Sequence, residues 1–381
     1  TTEIYTLSLH DALPIYSSVR LELIRKGRIM ANISVIDADM HLIQSTDDSD
    51  VRPFMGSPYS DQQGSLLPTV GWDASDYGRI KTEEWSTDQY QKAMDREGVD
   101  LSVLFPTRAL LLSQIPRVGS PTGYSARARD ENLVVAYCRG YNNYVATLCK
   151  NNSRLKAAAV VPFQQADAAV AEVKRAVNEL GLVGVALSSL GLADHVGAPI
   201  YWPIYQELER LNVPLLVHNL SYQGPGQDLR ADTFLLQDSV GGSMETFHTC
   251  SALVYGGIPE KFPKLRIGVF NVGVGWVPFM MERMDKDFEG KHHEEAPFLT
   301  QPPSEHICGG NWYFAMSYNE LSLPYVLETV GAGQIIFGSA YPEADSLFPD
   351  AVASLRQRQD ISEQAKKRIL AENAQELFAW T

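Results

Sequence analysis

The chain has 381 residues, with 32 Lys and Arg against 46 Asp and Glu, a net charge of −14. That acidic balance, with no basic run, argues against nucleic acid or an anionic membrane as a partner. No apolar stretch reaches the roughly 20 residues that span a bilayer. The 45% hydrophobic and 20% charged content is that of a globular protein with a large core, and this length suits two average domains or one α/β barrel. Cys138, Cys149, Cys250 and Cys308 have no metal-ligand spacing. With no signal peptide visible, the expected setting is a cytoplasm that keeps thiols reduced.

The first 29 residues read differently from the rest. The run 6–15 (TLSLHDALPI) resembles translated adapter sequence and Met30 reads as a start, so residues 1–29 are expected to lie outside the fold and 30–381 to form one domain. From Ile33 onward, short apolar runs alternate with helical patterns, the signature of a parallel sheet wrapped by helices. Strands are expected at 34–39, 101–105, 157–161, 183–187, 215–218, 265–270, 313–317 and 334–338. Most are continuously apolar, as strands buried on both faces are. Between them, Ser86, Thr87 and Asp88 offer caps for a helix ending before Gly98. Helical spacing also runs through 130–149 and 166–180, and a last helix over 362–378 is expected to close the barrel. Eight strands alternating with helices and no Pro/Gly/Ser linker favour a closed barrel over a doubly wound sheet.

Irregular stretches are expected at 44–82, 219–242 and 286–310. The first two leave strand C-termini, where barrel enzymes build their sites. Asp39-Met40-His41 ends the first strand, and residues two apart on a strand point the same way, so Asp39 and His41 are placed to face one cation. The competing reading is a capping Asp beside an exposed His. His218 ends the fifth strand, where a lone His is more often a satisfied core group. Three such residues at the mouths of two strands make a cation site the favoured reading. Arg108, after the second strand, offers a two-pronged guanidinium to a substrate carboxylate, or else forms a surface salt bridge. His248, one turn after Glu245, either lines the site or makes a helix-face contact.

The stretches 35–42 (VIDADMHL), 130–143, 161–187, 214–218, 257–278 (GIPEKFPKLRIGVFNVGVGWVP), 282–285 (ERMD), 335–342 (IIFGSAYP) and 371–378 (AENAQELF) resemble the amidohydrolase-related (amidohydrolase 2) family. The resemblance implies a distorted (β/α)8 TIM barrel holding a divalent metal, zinc foremost, with iron or manganese as alternatives. The matching ligand positions are Asp39, His41 and His218. It also implies decarboxylation, or C–N or C–C hydrolysis, of a small carboxylated or amide substrate. Assembly is expected either as a homo-oligomer or with a homologous subunit.

The eighth and sixth strands depart from the family pattern. Where the eighth strand carries Gly-Ser-Asp-Tyr-Pro-His, this chain reads Gly338-Ser339-Ala340-Tyr341-Pro342-Glu343, so the usual Asp ligand is an alanine. Near the end of the sixth strand, where the family has His or Glu, stands Asn271, which has no pKa useful to a general acid or base. Three explanations stay open. Glu343 or Asp345 supplies the carboxylate from a new backbone position, completing a two-His-one-carboxylate type of site. Alternatively, the chain is a weakened paralogue supporting an active homologue, as in iron-dependent amine oxygenases of this family. The third is that the substitutions were introduced to trap a substrate.

Overall fold

A computed structural model describes residues 33–67, 86–114, 131–188, 192, 194–219, 233, 236–317, 319–343 and 346–380. The expected extension over 1–29, Asp345, and parts of the stretches 44–82 and 219–242 lie outside the described residues. Eight strands follow one another in chain order: β1 (Ile36–Leu42), β2 (Leu101–Pro106), β3 (Leu155–Ala157), β4 (Val185–Leu187), β5 (Leu215–His218), β6 (Ile267–Phe270), β7 (Trp312–Met316) and β8 (Ile335–Phe337). Every pairing is parallel, in a run β1-β2-β3 and a run β4 to β8. A bridge between Ala159 and Val185 joins the two runs. The ring closes where His41 N–H donates to the Tyr341 carbonyl at 2.8 Å and Ala340 N–H to the Asp39 carbonyl at 2.9 Å. All eight expected strands are present, with ends that differ by up to four residues; β5 matches at both ends, and β3 overlaps its expected span only at Ala157.

The helices between them bury one face each. In α1 (Thr87–Glu97) the Ser86 and Gln89 side chains form a capping box and Gly98 closes the end at φ 77°, as the caps in the sequence imply. Further along come α2 (Glu131–Lys150), α3 (Ala166–Asn178), α4 (Trp202–Leu211), α5 (Ser243–Tyr255) and α6 (Val277–Glu295). The expected irregular stretch at 286–310 is corrected here: α6 runs to Glu295, and helical turns resume over Pro303–His306 and Ile307–Asn311. The charged run after Asp285 is a solvated helix face, with Lys291 and Glu295 paired one turn apart, and helix Gly290 has open space around it.

The buried apolar residues divide into two clusters that report which way each strand residue points. Ile36, Ala38, Leu101, Val103, Phe105, Ala158, Ala186, Leu216, Phe270, Ala315 and Ile336 fill the barrel interior. Their strand neighbours, such as Leu104, Leu215, Val217, Val269 and Phe314, join the outer layer under the helices. Ala371, Ala374, Leu377 and Phe378 of the last helical run belong to the interior cluster, so that run seals the barrel as expected.

Strand β1 breaks the alternation. Asp37 pairs with Ser102, but Met40 pairs with Leu104, so β1 carries one residue more than its partner across this interval. The extra residue is a bulge, and it exchanges the faces of the strand. Before it, Ile36 and Ala38 point inward; after it, Met40 and Leu42 belong to the outer layer. Asp39 and His41 are thereby turned toward the barrel axis. The buried Asp37 carboxylate pins the bulge, accepting the Asp39 N–H at 3.1 Å and the Ser339 N–H at 3.0 Å, as well as the Ser339 hydroxyl. Burial pushes its pKa up to about 6 against those hydrogen bonds. Replacing Asp37 with alanine leaves buried donors unmatched and is expected to cost about 1–3 kcal/mol in denaturant melts. A loss of only a few tenths would show that the bulge holds without it.

Candidate metal centre

Asp39 and His41 on β1 meet His218 at the C-terminal end of β5, where the interior parity of Leu216 carries on to His218. All three are essentially buried. His41 Nε2 lies 3.1 Å from Asp39 Oδ1 and 3.0 Å from His218 Nε2, and His218 Nε2 lies 3.2 Å from the same Asp39 oxygen. Among the described residues this is the group of His, Cys, Asp and Glu side chains close enough to hold one ion. Phe105 forms its apolar wall, with its ring 4.9 Å from that of His218 and 4.7 Å from that of Phe270.

The far side of each ring decides what faces inward. His218 Nδ1 is 2.8 Å from the Asn219 carbonyl, which can only accept, so Nδ1 carries the proton and Nε2 presents a lone pair. His41 Nδ1 is 3.1 Å from Glu343 Oε1, with the same consequence when that carboxylate is ionised. Two lone pairs and a carboxylate oxygen then converge within about 3 Å, an arrangement that repels itself unless positive charge lies among them. The electrostatics agree. Burial pulls the His41 imidazolium down, but the Glu343 and Asp39 carboxylates outweigh it and push the pKa up to about 10. Burial works likewise against Asp39, yet His218 and His41 hold its carboxyl well below the usual range. A triangle with edges near 3.1 Å is one face of an octahedral shell with bonds of roughly 2.2 Å, and two imidazoles with one carboxylate suit zinc, iron or manganese. The residues present therefore fit a divalent cation.

Other expected site residues fall elsewhere. Glu343 is not a replacement ligand: its carboxylate meets the Nδ1 edge of His41, opposite the Nε2 that faces Asp39 and His218. The turn that follows β8 directs it there, with Glu343 N–H bonded to the Ala340 carbonyl at 2.8 Å. Asn271, just past β6, donates its side-chain amide to Glu343 Oε1 at 3.1 Å. Ala340 and Asn271 both adopt left-handed backbone, at φ 53° and 62°, a region Asn tolerates and Ala disfavours.

Arg108 is corrected from a substrate anchor to a structural cation. It is fully buried and its Nε and Nη2 each lie 3.2 Å from Asp48 Oδ1. Asp48 also accepts from Tyr137 Oη at 2.7 Å and the Leu66 N–H at 2.6 Å. The Nε–Nη2 edge of the guanidinium is thereby committed to an internal carboxylate. His248 is corrected too: it is exposed on α5, whose buried face is formed by Thr246, Thr249, Cys250, Leu253 and Val254. Sequence reasoning missed Asp37, Ser339, Asn219 and Asp48. Only Asp37 left a signal, as a second carboxylate two residues before Asp39 in the same strand.

The amidohydrolase family model matches residues 36–380, and the chain belongs to that family. It is 25% identical over 308 residues to a 2-amino-3-carboxymuconate-6-semialdehyde decarboxylase of Dictyostelium discoideum, covering 80% of each chain. It is 26% identical over 313 residues to a gamma-resorcylate decarboxylase of a Polaromonas species, covering 76% of this chain and 86% of that one. The crystal structure of a dihydroxybenzoic acid decarboxylase from Polaromonas, with bound manganese and the inhibitor 2-nitroresorcinol, superimposes with a TM-score of 0.69 at 21% identity, over 91% of this chain and 97% of that one. The fold is thus the TIM barrel of amidohydrolase-type decarboxylases.

Proposed function

We propose that the chain is a divalent-metal-dependent decarboxylase acting on a small aromatic or similarly conjugated carboxylate. The observation that carries this reading is the buried Asp39–His41–His218 triangle at the C-terminal mouth of the barrel, in a chain whose relatives include several decarboxylases beside a hydratase of a carboxylated substrate. Those descriptions favour an enzyme over a supporting subunit, for which Ala340 and Asn271 are the only arguments. Zinc suits the donors, and manganese, as in the Polaromonas structure, suits them as well.

In the reaction the bond from carbon to the carboxylate breaks, its electron pair stays on carbon, carbon takes up a proton, and CO2 leaves. Asp39, His41 and His218 would hold a divalent cation, which would supply Lewis acidity toward a substrate oxygen. The chain's own groups prepare that position. The Asn219 carbonyl and Glu343 fix the two imidazoles with Nε2 inward, and Phe105 keeps the floor apolar, which strengthens every charge interaction there. Asn271 orients Glu343 but holds no titratable proton, so it does not serve as the general acid.

The test is CO2 release from purified protein loaded in turn with zinc, manganese and ferrous iron. 2,6-Dihydroxybenzoate and related phenolic and muconate-type carboxylates are the substrates to offer. Release that stops on chelation and returns on reloading is the expected result. A metal-loaded, folded protein inert toward the whole panel would overturn the reading.

A further inference from the structure

Behind the ligand triangle, one hydrogen-bonded path joins the two histidines from the outside. His41 Nδ1 meets Glu343 Oε1 at 3.1 Å, the Asn271 side-chain amide donates to the same oxygen at 3.1 Å, the Asn219 side-chain amide donates to the Asn271 carbonyl at 3.1 Å, and His218 Nδ1 donates to the Asn219 carbonyl at 2.8 Å. The path visits the ends of β1, β8, β6 and β5. Its members are held tightly. Glu343 is nearly buried and its own N–H is tied to the Ala340 carbonyl. Asn271 is fixed in left-handed backbone, and a Cβ on Gly242 would strike the Asn219 amide.

We propose that Glu343 and Asn271 are positioning residues for the metal centre, forming with Asn219 an outer clamp that holds the Nε2 atoms of His41 and His218 on one point. This rests on the metal reading above. The departures from the family pattern at Asn271, Ala340 and Glu343 all belong to this region. The carboxylate missing at Ala340 has its counterpart in Glu343, one layer further out, where it bonds a ligand rather than the ion. The protein then contributes three ligands on one face, and the net charge of Asp39, Glu343 and a divalent cation is zero. Outer carboxylates of this kind fix the tautomer and raise the basicity of a metal-bound imidazole.

The experiment uses the full chain and the variants Glu343→Ala, Glu343→Gln and Asn271→Ala, with two readouts. The first is affinity for zinc and for Co2+ by competition titration, together with the visible spectrum of the Co2+ form. Glu343→Ala is expected to weaken binding about 10- to 100-fold and to shift the Co2+ spectrum. Glu343→Gln keeps an acceptor oxygen of the same reach without the charge, and is expected to recover part of the loss; it also serves if the alanine variant folds poorly. Asn271→Ala should weaken binding in the wild-type background and add little to Glu343→Ala, because both act through one carboxylate. The second readout, independent of metal, is the nitrogen NMR signature of His41 in histidine-labelled apoprotein: a retained Nδ1 proton in the wild type, exchanging faster or shared between tautomers in Glu343→Ala. Affinity, spectrum and tautomer all unchanged in folded Glu343→Ala would overturn the clamp. A wild-type chain that takes up no metal yet shows the Glu343-dependent Nδ1 signature would overturn the metal reading and leave the clamp standing.

Discussion

Replacing Asp48 with alanine is expected to destabilise the fold by about 3–5 kcal/mol, the usual cost of stranding one member of a buried ion pair. Asp48 and Arg108 both have no exposed surface, and the carboxylate also accepts from Tyr137 and from the backbone of Leu66 and Leu67. These contacts fasten the segment after β1 to the end of β2 and to α2. Removing the carboxylate leaves a buried guanidinium without its counter-ion and the Tyr137, Leu66 and Leu67 donors without this acceptor, and each unmatched donor adds its own penalty. The double variant Asp48→Ala/Arg108→Met removes the stranded charge and should recover part of the loss, though the Leu66 and Leu67 N–H groups still lack their acceptor. Chemical denaturation of the three proteins decides the matter. A single variant that loses less than about 1 kcal/mol would show that the pair is not a tie for this segment.

His218→Ala is expected to abolish specific metal uptake. The wild-type chain should carry close to one divalent cation, and the variant almost none, by elemental analysis after dialysis. With two of three donors left and both on one strand, the site loses its span across the barrel from β1 to β5. The thermal response gives a second measure. A ligand present at 100 times its Kd stabilises a fold by about 2.7 kcal/mol, so added metal should raise the wild-type melting temperature and leave that of His218→Ala unchanged. Uptake by the wild type should weaken as the pH falls, since a proton and a cation compete for the same Nε2 lone pairs. Retention of a full metal complement by the variant would place the ion away from this triangle.

Much of the architecture is legible in the amino-acid sequence because it depends on local patterns. Runs such as Leu215–His218 and Ile267–Phe270 are continuously apolar because helices and barrel interior bury both faces. The caps at Ser86 and Gly98 act within a few residues of chain. The pairing of Asp39 with His41 is legible for the same reason, since spacing alone sets their relative direction. Their absolute direction is not, because it depends on the β1 bulge, which is defined only against β2. Arg108 and Asp48 are 60 residues apart, and nothing in either neighbourhood announces the other. Glu343 was misread for a related reason. A carboxylate three residues from the lost ligand is easily taken for its substitute, while the tight turn at Ala340 carries it to the opposite edge of His41. The stretch 286–310 was read as loop because its charges mask a helix that is largely solvated.

The bulge in β1 makes the position of the ligands a matter of counting rather than of identity. A strand has only two phases, and the single extra residue between Asp37 and Met40 is what lets one strand serve the oily interior at its start and the ion at its end. Drawing the bulge out at unchanged length, so that the pleat alternates unbroken from Ile36, would keep every side chain needed for chemistry yet send Asp39 and His41 into the layer under the helices, with Met40 in their place; removing the extra residue itself would restore even pairing and leave both ligands inward. Substitution scanning would not detect this dependence, and a sequence comparison that slides a gap across DAD would assign the wrong carboxylate to the metal. The same arithmetic gives redesign a simple handle, because the residues that β1 presents to the interior are set by the phase of its pleat as well as by their order in the chain.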